Sequence, residues 1–265
     1  MPPPGIFGEV ARVASYPGKL GIPATPGLSP DEAEVERRFA AKVEAELEDL
    51  IAEYEAQHGP IIDPDRAREF CADYAASIEA RGKYSQATYA PAKALTDAIF
   101  HRRIAQGPPG LVRFLSGGAG SGKSTVLAAL GDKLPEAIIV VDGTLSRLAP
   151  AREKIDFCLA QGCEVEVLHL HRPFEEAVRA ILARASSAGR RVEPEAAAAT
   201  HHGAQTVLLA LADLYGASIE IRAVFFSQDS GAEIIDLESL RSRYAHPPLD
   251  QMTATAKGIF ENAGG

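Results

Sequence analysis

Cysteine is scarce in this sequence of 265 residues. Only Cys71, Cys158 and Cys163 are present, and none of them has a partner at C-x-x-C spacing. Three is too small and too odd a number for a framework of disulfide bonds. We therefore expect reduced thiols, as in a protein of the cytoplasm, with Cys158 and Cys163 packed in the core.

Positive charge and long apolar runs are also lacking. The chain has 27 Lys and Arg against 36 Asp and Glu, a formal net charge of -9. A surface that follows nucleic acid needs an excess of Lys and Arg, so we expect no nucleic-acid partner. No apolar run reaches the ~18 residues of a membrane span, and the first ten residues lack the basic and apolar regions of a secretory signal. We expect a cytoplasmic protein with no membrane partner.

The N-terminal part of the chain has the pattern of helices. Residues 1–28 are rich in Pro and Gly, which predicts an irregular arm. Residues 29–106 show helical spacing, with one helical stretch starting at Ser29 and ending near Gly59. A second is expected over 63–78, and a third from Pro91 to about Ala105. We therefore predict a helical region before the rest of the fold.

From residue 111 the pattern changes to alternating strands and helices. Strands are predicted at 111–115, 137–141, 164–170 and 218–226, with helices between them. This alternation, together with the pattern G-x-x-x-x-G-K-S/T from Gly117 to Ser124, indicates an α/β fold with a P-loop NTPase or kinase core and a mostly parallel sheet of four or five strands. We place that core at 107–235 and expect a tail with one short helix at 236–265.

The functional signal lies at the end of the first of these strands. Residues 114–125 read FLSGGAGSGKST and contain the pattern G-x-x-x-x-G-K-S/T. Between a strand and a helix, such a loop directs backbone N–H groups and the positive helix end at phosphate, while its lysine reaches the outer phosphates. We predict that ATP binds here, to the loop residues Gly117, Gly118, Ala119, Gly120, Ser121, Gly122, Lys123, Ser124 and Thr125. The hydroxyl of Ser124 is expected to bind Mg²⁺.

Two further observations concern whether the phosphate is transferred to water or to another acceptor. The chain has a single Asn, Asn262, so the N-K-x-D motif with which GTPases read guanine is absent. The strand IIVVDG ends in Asp142 followed by Gly143, whereas motor and transporter ATPases have a water-activating Glu at that position. We therefore favour transfer to an acceptor over hydrolysis. Asp142 is expected to bind Mg²⁺ or to accept the proton of the acceptor; a role as a helix cap is the alternative.

Other charged residues have candidate roles beside this loop. Arg184, Arg190 and Arg191 are expected on a mobile lid that stabilises the transferred phosphate, although a solvated basic face would show the same pattern. The segment DPDRAREF, residues 63–70, is either a solvated helix end or part of an N-terminal half that forms one wall of the acceptor site or a docking face for a partner. Paired histidines at 169 and 171, and at 201 and 202, are expected to pack rather than to bind metal.

The order of several segments resembles the zeta-toxin group of P-loop kinases. GGAGSGKST, VVDGTLSR, EVEVLHLHRP and LLALADLYG carry this resemblance, which covers about residues 108–230. Zeta toxins phosphorylate a hydroxyl of UDP-N-acetylglucosamine and are restrained by antitoxin proteins. The resemblance implies a small-molecule acceptor, and a possible antitoxin partner.

The sequence departs from the zeta-toxin pattern at one point. The family has two strands after the phosphate-loop helix, the first with the catalytic Asp and the second with an E-G-T segment. Here a single segment, IIVVDGTL, is present. The acceptor could therefore be another nucleotide or a cofactor hydroxyl. Two further hypotheses are a nucleotide-binding switch with little turnover and a kinase that acts on protein.

Overall fold

The computed structural model describes residues 20–130, 134–189, 192–227, 229, 231–242 and 245–263. The predicted arm therefore lies mostly outside the described residues, and 20–29 contain neither helix nor strand. The helices are α1 (Pro30–Ala45), α2 (Leu47–His58), α3 (Pro64–Ala67), α4 (Ala72–Ala75), α5 (Ile78–Lys83), α6 (Tyr89–Gln106), α7 (Lys123–Leu130), α8 (Leu148–Ala160), α9 (Phe174–Ala188), α10 (Pro194–Tyr215), α11 (Leu237–Ser242) and α12 (Leu249–Ala263). None of these helices is long and apolar enough to cross a bilayer.

The strands form one sheet of mixed direction. They are β1 (Ile61–Ile62), β2 (Leu111–Ser116), β3 (Ile139–Asp142), β4 (Glu164–His171), β5 (Glu220–Ser227) and β6 (Gly231–Ile235). Their order across the sheet is β1-β3-β2-β4-β5-β6, and every neighbouring pair is parallel except β5 and β6. The prediction of an α/β fold with a mostly parallel sheet is therefore confirmed.

Strand β2 lies where the chain reverses its progress across the sheet. From β2 the chain passes to β3 on one side, and from β3 it crosses back to β4 on the other side of β2, so these two connections run in opposite directions. In parallel α/β sheets such a switch point opens a crevice at the carboxyl ends of the strands, where ligands bind. The glycine-rich loop directly follows β2 at this switch point.

The side chains of the sheet alternate between two apolar layers. Phe114 of β2 and Val141 of β3 belong to a large cluster that includes Phe100 of α6, whose ring centre is 6.1 Å from that of Phe114. Leu115 and Val140 belong to a smaller cluster on the other face, together with Val126 of α7. The N-terminal helices therefore cover one face of the sheet.

The structure differs from the predicted elements at four places. The single helical stretch expected from Ser29 to near Gly59 is divided at Glu46 into α1 and α2. The helix expected over 63–78 is divided into α3, a 3₁₀ turn at Arg68–Phe70, and α4, and the backbone at Cys71 and Ser77 is extended. The region predicted as helical contains a strand, β1, which joins the sheet. The end of the chain, for which we expected one short helix, contains β6, α11 and the 15-residue helix α12.

Candidate functional site

The glycine-rich loop connects β2, which ends at Ser116, with α7, which begins at Lys123. Gly117, Gly120 and Gly122 have φ angles of 137°, 74° and 86°. L-residues with a Cβ rarely adopt these angles, which explains why the loop needs glycine at these positions. Within the described residues, the N–H groups of Gly118, Gly120 and Gly122 make no hydrogen bond. Unpaired N–H groups of this kind are suitable donors for an anion.

Helix α10 packs directly against the tip of this loop. A Cβ at Gly118 would lie 2.0 Å from Cδ2 of His201. Nε2 of His201 is 2.7 Å from the carbonyl oxygen of Ala119, so Nε2 must carry the proton that it donates. Nη1 of Arg172 donates to the carbonyl of Gly120 at 3.1 Å. These two side chains fix the carbonyl groups of the loop, although the sequence pattern drew attention to neither of them for this role.

Lys123 folds back over the loop. Its Nζ donates to the carbonyl oxygens of Gly117 at 3.1 Å and Gly118 at 3.4 Å. Burial lowers the pKa of Lys123, and the negative charge of Asp142 opposes this shift. The hydroxyl-bearing Ser124 and Thr125 follow in the first turn of α7 and are exposed. Burial disfavours the charged ammonium form of Lys123, and an anion bound beside Nζ would favour that form.

Asp142 is the last residue of β3 and is next to Leu115 of β2 in the parallel register. Burial raises the pKa of Asp142, while the positive charge of Lys123 lowers it. Asp142 does not cap the following helix, because α8 begins at Leu148 with Arg147 as its cap residue. The helix-cap alternative is therefore removed. A carboxylate with a raised pKa is a better proton acceptor than an ordinary one.

The N-terminal part of the chain reaches the same edge of the sheet. Ile62 of β1 is paired with Val141 of β3, so the next residues, Asp63 and Asp142, occupy neighbouring strand ends. Asp63 caps α3 by accepting a hydrogen bond from the N–H of Asp65 at 2.8 Å. Asp65 is therefore also held near the end of β3, and its charge contributes to the raised pKa of Asp142.

Arg184 reaches this edge from the other side, on α9. Its Nη2 is 3.2 Å from Oδ2 of Asp65, and its positive charge lowers the pKa of Asp142 and of Lys123. The structure thus brings three of the predicted residues, Lys123, Asp142 and Arg184, to one edge of the sheet. Arg190 and Arg191 lie outside the described residues, so their place on a lid stays a prediction.

Four histidines pack behind the loop. His169 is 3.0 Å from Oγ of Ser116 through Nδ1, the rings of His171 and His246 stack with centres 4.8 Å apart, and His201 and His246 are 5.8 Å apart. Burial lowers the pKa of all four. In the part of the chain that the structure describes, no group of three His, Cys, Asp or Glu side chains could hold a metal ion. Burial thus favours the neutral form of these four rings.

Comparison with known proteins yields little. No family model and no curated protein matches the chain. Among the solved structures that are similar to this chain, two are complexes of AvrRxo1-ORF1 with AvrRxo1-ORF2. The structure with sulphate ions has 15% identity and a TM-score of 0.42, with 85% of this chain and 73% of that chain covered. The native complex has 14% identity and a TM-score of 0.46, with 95% and 91% covered. Similarity this low carries no conclusion about function.

Proposed function

We propose that this protein is an ATP- and Mg²⁺-dependent kinase that phosphorylates a hydroxyl group of a small molecule. The observation that carries this proposal is the arrangement at the switch point of the sheet. A glycine-rich loop with unpaired N–H groups precedes Lys123 on one strand connection, and Asp142 ends the neighbouring strand. This arrangement can hold a triphosphate beside a carboxylate that accepts a proton.

Each residue has a defined task in the proposed reaction. The N–H groups of the loop and Nζ of Lys123 bind the phosphate oxygens, and Arg184 offsets the negative charge of the moving group. Asp142 accepts the proton of the acceptor hydroxyl. The hydroxyl oxygen forms a bond to the γ-phosphorus, the bond from that phosphorus to the β,γ-bridging oxygen breaks, and its electron pair leaves with ADP.

The oxygen ligands available at the loop suit magnesium. Mg²⁺ prefers hard oxygen donors, and the Ser124 hydroxyl and the Asp142 carboxylate are the two that we propose for it. When bound, the ion supplies positive charge that neutralises the phosphate oxygens. For Asp142, a role as a magnesium ligand is the alternative to its role as a base. A titration of Mg²⁺ with Asp142→Asn separates the two, because only the loss of a ligand raises the Mg²⁺ concentration that is needed.

The nature of the acceptor follows from the resemblance in the sequence. A nucleotide or a sugar nucleotide such as UDP-N-acetylglucosamine is the first acceptor to test, and an antitoxin-like protein is the first partner to seek. Among the described residues, β3 is the one strand between the loop helix α7 and α8, where the zeta-toxin pattern has two, and β1 lies beside β3. This difference supports a test with a wide range of acceptors.

The proposal is tested by ATP consumption in the presence of Mg²⁺, with and without a deproteinised cell extract. We expect consumption that depends on the extract and that is lost in Lys123→Ala. The matched control is Lys257→Ala, which removes an exposed lysine that pairs with Glu195 on the surface. Equal consumption without extract would identify an ATPase. Binding of ATP with no consumption in either condition would favour a switch or a kinase that acts on protein.

A further inference from the structure

An ion pair connects the N-terminal half of the chain with the helix that bears the site arginine. Oδ2 of Asp65 is 3.2 Å from Nη2 of Arg184, although the two residues are 119 positions apart in the sequence. The other oxygen of Asp65, Oδ1, accepts a hydrogen bond from Nη1 of Arg68 at 3.0 Å. Asp65 thus holds one arginine with each carboxylate oxygen.

The backbone around Asp65 is fixed by several contacts. Its N–H donates to Oδ1 of Asp63 at 2.8 Å, and the N–H of Asp63 donates to the hydroxyl of Tyr54 at 2.8 Å. Tyr54 is fully buried. Since β1 directly precedes Asp63, the position of Asp65 is set by the sheet and by the core of the N-terminal helices.

The helix α9 also contacts this half of the chain at its C-terminal end. A Cβ at Gly189 would lie 2.1 Å from the carbonyl oxygen of Ile78, in the first turn of α5. Gly189 ends α9 with a φ of 70°. Two contacts, at Asp65 and at Ile78, therefore hold the last two turns of α9 against the N-terminal segment.

We propose that Asp65 is a positioning residue of the nucleotide site, which acts by holding the guanidinium group of Arg184 where it meets the phosphates of ATP. This inference rests on the proposed function. It gives the N-terminal half of the chain a part in the site, because a segment that precedes the glycine-rich loop would position one of the phosphate-binding charges.

The direction in which Asp65→Asn changes ATP affinity distinguishes a positioning role from simple charge repulsion. Removal of a carboxylate near a triphosphate, by itself, strengthens the binding of the anion. Removal of a group that positions an arginine weakens it. If Asp65 acts through Arg184, the substitution Asp65→Asn weakens ATP binding only when Arg184 is present.

The experiment is a double-mutant cycle on the binding of Mg·ATP, measured by titration calorimetry with the full chain. We expect Asp65→Asn to raise the dissociation constant about fivefold in the wild-type background, a coupling within the usual range for contacting residues. In the Arg184→Gln background we expect the same substitution to leave the constant unchanged or to lower it. Asp65→Glu should recover part of the affinity.

The control pair is Glu175 and Arg179, on the same helix. They form an exposed ion pair at 3.0 Å, and we expect Glu175→Gln to leave the affinity unchanged. Thermal unfolding of each variant shows whether the fold is kept. Tighter binding in Asp65→Asn, or equal effects in both backgrounds, would overturn the inference. If all variants bind as expected but none transfers phosphate to an extract, the proposed kinase activity fails while the positioning role stands.

Discussion

The packing of α10 against the glycine-rich loop allows a sharp test of the site geometry. The substitution is Gly118→Ala, which adds one methyl group to the loop. That methyl would lie 2.0 Å from Cδ2 and 2.3 Å from Cγ of His201. The ring of His201 is 2% exposed and contacts Phe174 edge-on, with ring centres 5.2 Å apart, so it has little room to turn.

The expected cost can be worked out from these contacts. Overfilling a packed site costs about 1–3 kcal/mol. Displacement of the His201 ring also breaks its hydrogen bond to the carbonyl of Ala119, which contributes about 1 kcal/mol. For a chain of this size, each 1 kcal/mol corresponds to a shift of roughly 2–4 °C in Tm. We therefore expect Gly118→Ala to lower the Tm by about 5–15 °C and to weaken ATP binding.

The assay is thermal unfolding followed by circular dichroism, with two comparison variants. Gly258→Ala is the matched control, since no atom lies within 4 Å of the added methyl in α12 and Ala favours the helix. The double variant Gly118→Ala/His201→Ala removes the ring that the methyl strikes. We expect it to be no less stable than His201→Ala alone. Additive losses in the double variant, or a wild-type Tm for Gly118→Ala, would show that α10 does not lie against the loop.

Three other expected outcomes concern the charges of the site and of the core. Glu166→Gln leaves Arg113 buried without its ion-pair partner, and we expect urea unfolding to show a loss of about 3–5 kcal/mol. Asp142→Asn should slow phosphate transfer by about 10²–10⁴-fold, with ATP affinity retained, if Asp142 is the base; lost affinity would contradict that role. Burial lowers the pKa of His201 and of His171 to about 3, so the unfolded chain binds more protons than the folded protein below about pH 6.5. Stability should therefore fall as the pH decreases from 6.5 towards 3, by about 1.4 kcal/mol per pH unit for each of these histidines. Urea unfolding at several pH values measures this slope, and His201→Gln should reduce it.

The long periodic elements of the fold could be predicted from the sequence, and the short ones could not. The four predicted strands, at β2, β3, β4 and β5, and the helices between them are confirmed, because their apolar patterns extend over several residues. Strand β1 has only two residues, Ile61 and Ile62, too few to show any period. It is a strand only because β3 lies beside it.

The expected helix over 63–78 shows how spacing alone can mislead. Phe70, Tyr74 and Ile78 are four residues apart, as on one face of a helix. In the structure Tyr74 is fully buried while Ile78 is 45% exposed. Ser77 accepts a hydrogen bond from the N–H of Ala80 and starts a new helix there. A local side-chain hydrogen bond to the backbone thus competes with the continuation of the helix.

The candidate site could be predicted from the sequence where a recognisable pattern marks its residues. Arg184 could be recognised from an arginine-rich helix end. Lys123 and Asp142 follow β2 and end β3, and both positions could be read from the loop motif and from an apolar run. His201 and Arg172 support the loop from α10 and from the end of β4, and no spacing in the sequence relates them to it. Their role depends on contacts between elements that are distant in the chain.

The position of β1 explains why the site looked incomplete in the sequence. In the order of the sequence, the acidic residue that ends the strand after the loop helix is Asp142. In the sheet, β3 has a second parallel neighbour that comes from before the loop, and it ends next to Asp63 and Asp65. Parallel strands end at the same edge whatever their order in the chain, so a strand from either direction can supply charged residues there. The N-terminal half is therefore where variants that change acceptor or nucleotide binding should be sought, beginning with Asp65.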